Sequence, residues 1–281
     1  YALTETLTFT PADSGTPQAP VVWMGEGEGA TISGGDVVKG WVAETDGTWS
    51  APIPAAPDGK PAYFEQLWVN GRRAERARLP NGGQGTASYF NLVKPNITAV
   101  TNAAGKASYV ERATLTNALA AALGKIPADE FPYAQMCVVH KWSTARRILR
   151  AFDPATMTVE TWTPRGWSGW SIWNARETLV SFENVRSAFD APGEWFYDAK
   201  AGRVRYRPMA GEAIETAVVI APSAKLSQLI AIKGNPDKGE FVHDIAFRNL
   251  TFAYSDAPPT DGAPVNGPTE SWQHQAASGS D

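Results

Sequence analysis

The sequence predicts an all-β chain in which solenoid-like coils are interrupted by a β-rich insertion, and three observations predict it. From Thr216 to Tyr254, short apolar runs (TAVVIAPSAKLSQLIAIKG, then VHDIAFRNLTFAY) flank a Gly/Asn/Pro/Asp turn. In the second run Val242, Ile245, Phe247, Leu250 and Phe252 take near-alternate positions, and Asn249 breaks them at an expected coil corner. The same texture opens the chain, and between the two regions hairpin signals replace it. Stacked coils cannot bury their apolar faces alone. A 281-residue chain whose second coil comes near its end is therefore expected to be part of a longer solenoid.

In chain order, TLTFT at 6–10 alternates and is followed by the loop PADSGTPQAP, which predicts an edge strand. Val21, Val22 and Trp23 form a second run. The GEGEG turn follows, and Ala30-Thr31-Ile32 and Val37-Val38 flank the Gly34-Gly35 corner. Tyr63–Asn70 alternates and ends in Asn70-Gly71, the strongest short hairpin signal, so Arg72–Leu79 is expected as its return strand. Thr114–Leu123 reads as the one helix, stopped by Gly124. Ile148–Ala151 and Thr156–Trp162 predict a hairpin turned by Asp153-Pro154, and Trp195–Tyr197 with Arg203–Arg207 predict another around DAKAG. The expected organisation is 1–45 as the first coil, 46–215 as the inserted antiparallel domain, and 216–281 as resumed coils ending in a long polar loop.

Composition removes several functional classes. A net charge of −4 gives no general electrostatic reason to bind nucleic acid or an acidic membrane surface. No apolar stretch approaches the ~20 residues of a membrane helix, and nothing resembling a signal peptide precedes Leu3. The single cysteine, Cys137, sits in the apolar run YAQMCVVH, is expected to be a packing residue, and excludes an internal disulfide framework. Eleven Trp beside 25 Gly and 21 Pro fit a turn-rich β chain. Buried packing is their ordinary role, and stacking on flat ligands such as sugars is the functional one.

Motif reading is sparse. There is no phosphate-cradling glycine loop, paired Cys/His zinc spacing or GxSxG elbow, and three histidines make a His-rich metal site improbable, so no cofactor or metal is expected. Asn96-Ile97-Thr98 and Asn249-Leu250-Thr251 match the glycosylation pattern. His140-Lys141-Trp142 follows the buried-looking strand MCVV, where loops carry function, against the plainer reading of a solvated strand end. Arg203, Arg205 and Arg207 share one strand face, suited to an anionic sugar or simply to solvent. The tail from Asp256 to Asp281 carries Asp256, Asp261, Glu270, Trp272, His274 and Asp281 in a loop long enough to be functional or disordered. Trp272 would stack on a sugar ring there. The candidate substrate-binding set is His140, Lys141, Trp142, Trp272 and His274.

Five segments carry a family resemblance: TISGGDVVKGW (31–41), YFEQLWVNGRRAERARLPN (63–81), VVHKWSTARRI (138–148), FENVRSAFDAPGEWFYDAKAGRVRYRP (182–208) and HDIAFRNLTFAYSD (243–256). In order, they resemble secreted bacterial right-handed parallel β-helix proteins, in particular those grouped with glycoside hydrolase family 141. The resemblance implies a β-helix interrupted by antiparallel β-domains. It also implies action on plant or algal polysaccharides as a fucosidase or xylanase, with the catalytic Asp/Glu pair in coils beyond residue 281. It transfers no catalytic residue onto this chain, and implies a second segment of the same protein as the partner completing the β-helix. A polysaccharide lyase and a non-catalytic glycan-binding or structural β-helix are the rival readings.

Overall fold

A computed structural model of the protein describes residues 1–82, 90–101, 107–139, 144–163, 179–226, 228–255 and 272–273. Strands dominate, as expected, and the sheets are mixed and mostly antiparallel. Residues 1–39, 53–73 and 217–257 form one compact unit, and residues 40–52 and 74–216 belong to a second.

In the first unit the chain visits the same three places twice. Leu7–Phe9 runs parallel to Ile230–Ile232, Val21–Met24 to Ile245–Arg248, and Ala30–Ser33 to Leu250–Ala253, with Leu7, Val21 and Ala30 opposite Ile230, Ile245 and Leu250. The second pass thus retraces the first in order and direction. Aromatic rings meet beside these pairs. Phe9 is buried and meets Trp23 and Phe247 edge-on at 5.3 and 5.5 Å, and Phe247 meets Phe252 at 5.7 Å. Asn249 marks the corner as predicted: its φ is 52°, and its side-chain amide donates to the carbonyls of Gly25 and Gly27 on the first pass.

An antiparallel sheet completes this unit, in the order Gly35–Val37, Val219–Pro222, Trp68–Val69, Arg72–Arg73. The Asn70-Gly71 hairpin forms as expected, with φ of 50° and 78°, the left-handed pair a tight two-residue turn requires. Its return strand differs from the prediction. Only Arg72–Arg73 pairs across the hairpin. In the second unit, Glu75–Arg76 pairs with Glu194–Asp198 and Arg78–Leu79 with Leu179–Glu183. A local alternation cannot distinguish one strand from short pieces recruited by different sheets.

In the second unit six strands pair antiparallel in the order Phe90–Thr101, Ala107–Leu115, Thr158–Thr163, Thr144–Asp153, Gln135–Val139 and Leu179–Glu183, and the last also pairs with the first. Met136, Val138, Val180, Phe182, Leu149 and Val159 share one apolar core with Leu119 and Leu123 of the helix Asn117–Leu123. The helix starts later than predicted: Thr114 and Leu115 complete a strand, and Thr116 caps the helix by accepting from the Leu119 N–H at 3.3 Å. Cys137 is buried, as expected. A five-stranded sheet follows the order Val42–Ala43, Trp49–Pro52, Arg203–Tyr206, Glu194–Asp198, Glu75–Arg76. Its hairpin around DAKAG matches the prediction, burying Trp195, Val204 and Tyr206 on one face.

Candidate functional site

Three of the sequence-selected residues, His140, Lys141 and Trp142, and also His274, lie outside the described residues, as do Asp256, Asp261 and Glu270. The backbone of Trp272–Gln273 is described and pairs antiparallel with Thr144–Asp153, placing Trp272 opposite Ala145 and Gln273 opposite Thr144. The tail strand therefore meets the second unit just after the 140–143 segment in sequence.

The predicted arginine face forms, with Arg203 and Arg205 half-buried between the buried Val204 and Tyr206, yet each arginine is committed inside the protein. Arg203 donates to the Ser50 hydroxyl and carbonyl, Arg205 to Asp198 at 3.0 Å, and Arg207 to the Phe189 carbonyl. The Asn249 amide is likewise held by two carbonyls, which leaves the Asn249-Leu250-Thr251 pattern without a free acceptor nitrogen, while the side chain of Asn96 lies outside what the structure describes.

The best-formed polar constellation is one that local sequence did not single out. Asp198 ends the strand Glu194–Asp198 almost fully buried. Its Oδ1 accepts from Arg186 Nη2 at 2.8 Å and from the Ala201 N–H, and its Oδ2 from Arg205 Nε. Arg186 also reaches Glu130 through Nε at 3.2 Å and lies over the Phe196 ring at 5.0 Å. Asn184, at φ 56°, fixes the strand edge beside it: its amide donates to the carbonyls of Tyr133 and Tyr197 and accepts from the Tyr197 N–H at 2.8 Å. Lys200 pairs with Asp129 at the rim. A narrow niche opens among Glu130, Tyr133, Asn184, Arg186, Tyr197 and Lys200. Arg186 lies 12 positions from Asp198 and 56 from Glu130, which leaves no local signal: Arg186 and Asp198 read separately as ordinary turn and strand-end charges.

These environments separate the acids by chemistry. Burial pushes Asp198 up, but bonds from Arg205, Ala201 and Arg186 outweigh it and hold its carboxyl below the usual range. Glu183 behaves alike, its burial outweighed by Arg146 and Arg76. Both are fixed anions, unsuited to proton donation. Glu194 goes the other way. Burial raises it, as do Asp190 and Glu75, against two backbone N–H bonds from Asp190 and Ala191. Its carboxylate closes the Asp190–Gly193 turn, a bracing role. Among the described residues no group of three or more His, Cys, Asp or Glu is placed to hold a metal ion, and no helix is long and apolar enough to cross a membrane.

No family model and no curated protein matches the chain. A solved structure named "Glycoside hydrolase" is similar to it with a TM-score of 0.66 and 24% sequence identity, over 91% of this chain and 42% of that one. The chain thus spans under half the length of that neighbour, and the likeness is one of fold, a glycoside hydrolase-like one.

Proposed function

We propose that this chain is the N-terminal portion of a secreted bacterial enzyme built on a right-handed parallel β-helix, a glycoside hydrolase of plant or algal polysaccharide. The observation that carries this reading is the retraced path: three parallel pairs, taken in the same order on two passes, are what successive coils of such a helix produce. The likeness to a longer protein named "Glycoside hydrolase" supports it. The resemblance to glycoside hydrolase family 141 narrows it.

In this reading the Asp/Glu pair is supplied by coils beyond residue 281. One carboxylic acid protonates the leaving glycosidic oxygen while the other serves as nucleophile or base. Coils stack about 4.8 Å apart, so acids on adjacent rows approach the ~5.5 Å of retaining enzymes, and acids two rows apart the ~9.5 Å of inverting ones. The partner is a second segment of the same protein, seated on the edge of the 230–253 row. The clamped carboxylates Asp198 and Glu183 play no part in the chemistry.

The test is an assay of the chain extended past residue 281 on a panel of neutral and acidic plant and algal polysaccharides. New reducing ends without ultraviolet absorbance from an unsaturated uronate are expected. Absorbance would turn the reading to a lyase, against which the commitment of Arg203, Arg205 and Arg207 already counts. Binding without any cleavage across the panel would overturn it in favour of a glycan-binding β-helix.

A further inference from the structure

Among the described residues, one row of the first pass is covered on both edges and the others on one. Ala30–Ser33 pairs with Leu250–Ala253 on one side and meets the opening residues of the chain on the other. There Ala2 bridges Ser33 in parallel, the Tyr1 amine donates to the Thr31 carbonyl at 2.7 Å, Ser33 donates to the Tyr1 carbonyl at 2.8 Å, and Leu3 to the Ser33 carbonyl at 2.9 Å. Residues 1–3 are thus a third layer of that row, running the same way as the other two. Val21–Met24 has no such layer among the described residues. Val21 and Gly25 donate to the Asp244 and Arg248 carbonyls of the second pass at 2.9 and 3.0 Å, so strand alternation turns the N–H and C=O groups of Val22 and Met24 to the open edge.

This edge has the composition of an interior strand. Its four residues, Val21 to Met24, are all apolar and 37 to 63% exposed. Continuous apolar runs are what parallel strands covered on both sides carry, whereas true edges are blunted by charge, proline or a bulge, and Val21–Met24 has none of these. Trp23 meets the buried Phe9 at 5.3 Å and still stands 43% exposed, a half-covered layer of the aromatic cluster.

We propose that the open edge of Val21–Met24 seats one further parallel strand, supplied by the stretch of polypeptide that leads into Tyr1. Position selects this occupant. On the first pass residues 25–29 link Val21–Met24 to Ala30–Ser33, and on the second pass Asn249 alone links Ile245–Arg248 to Leu250–Ala253. A layer whose third row is residues 1–3 therefore has its second row a similarly short link upstream of Tyr1, directly against Val21–Met24 and with its direction already set. That strand places apolar residues beside Val21 and Trp23 and pairs its backbone with Val22 and Met24. A second copy of the chain offers its 230–253 edge instead, and stacking of that kind never closes and grows into fibres. The inference rests on the unpaired edge and its paired neighbour, neither on the residue at which the sequence opens nor on the reaction proposed above.

The experiment is amide hydrogen exchange on two isotope-labelled chains, residues 1–281 and the same chain extended upstream by about 15 of its encoded residues, room for one connection and one strand. In the 1–281 chain the Trp23 amide, turned to the second pass, is expected to exchange slowly and those of Val22 and Met24 fast. In the extended chain Val22 and Met24 should slow about tenfold or more, with Trp23 little changed. A synthetic peptide of the added residues, titrated into the 1–281 chain, should protect the same two amides saturably, and it decides should the extended chain fail to fold. Unchanged exchange at Val22 and Met24 in both formats would overturn the proposal. So would protection already present in the monomeric 1–281 chain, or protection that rises with its concentration, which would assign the edge to another segment of this chain or to a second copy. Failure here leaves the hydrolysis reading untouched, since that is read by product formation on the chain extended at its other end.

Discussion

The side chain of Asn249 ties the second pass of the chain to the first, donating to the Gly25 carbonyl at 2.9 Å and to the Gly27 carbonyl at 3.2 Å from a left-handed backbone. Asparagine serves both needs of this corner, because it tolerates positive φ and supplies a two-hydrogen amide.

Asn249→Ala is expected to lose both bonds and add backbone strain, costing about 2 kcal/mol. Asn249→Gly, which keeps the conformation, should cost roughly half that. Denaturant unfolding of the two variants checks the order, and equal losses would place the effect outside the corner.

Phe9 is the buried member of the aromatic cluster, at 4% exposure, against Trp23 and Phe247. Phe9→Ala is expected to cost about 3 kcal/mol from lost burial and the cavity left. Trp23 is 43% exposed, so its truncation should cost clearly less. The same unfolding measurement compares them.

Asp198 and Glu194 predict opposite pH behaviour. Asp198 sits below its ordinary 3.8 when folded, so its contribution is complete above that value and is lost as pH falls through the folded one. Asp198→Asn should therefore flatten the acid limb of the stability curve, and should cost about 3 kcal/mol at neutral pH by stranding Arg186 and Arg205. Glu194, raised above 4.5 chiefly by burial, favours folding below that value and opposes it as pH climbs through the folded one. Glu194→Gln should stabilise at neutral pH and not in acid. Unfolding across acid to neutral pH reads both, and like signs for the pair would contradict these environments.

Burial, reinforced by Tyr133, pushes the Tyr197 hydroxyl up to about 12. In a spectrophotometric titration of the folded protein, Tyr197 should stay protonated through the ordinary range near 10.0. Its contribution to stability is complete below that value and is lost as pH rises toward the folded one. Tyr197→Phe should remove the late transition, and its persistence would assign it to another tyrosine.

Residues close in sequence determined the local shapes. Asn70-Gly71 makes its turn because both residues accept positive φ, Asp153 closes its hairpin turn by accepting from Ala155 and Thr156, and the alternation of Arg203 to Tyr206 sorts one face from the other. The apolar runs at 21–33 and 245–253 also became strands where expected. Tertiary structure alone decided which strand each of these meets. It divided Arg72–Leu79 among three pairings, gave Thr114 and Leu115 to a sheet instead of the helix, and joined Glu130, Arg186 and Asp198 into one network. The physical reason is reach. Turn and alternation signals act over a few bonds, whereas pairing partners and buried ion pairs are chosen by burial and charge balance between segments that meet only once the chain has folded.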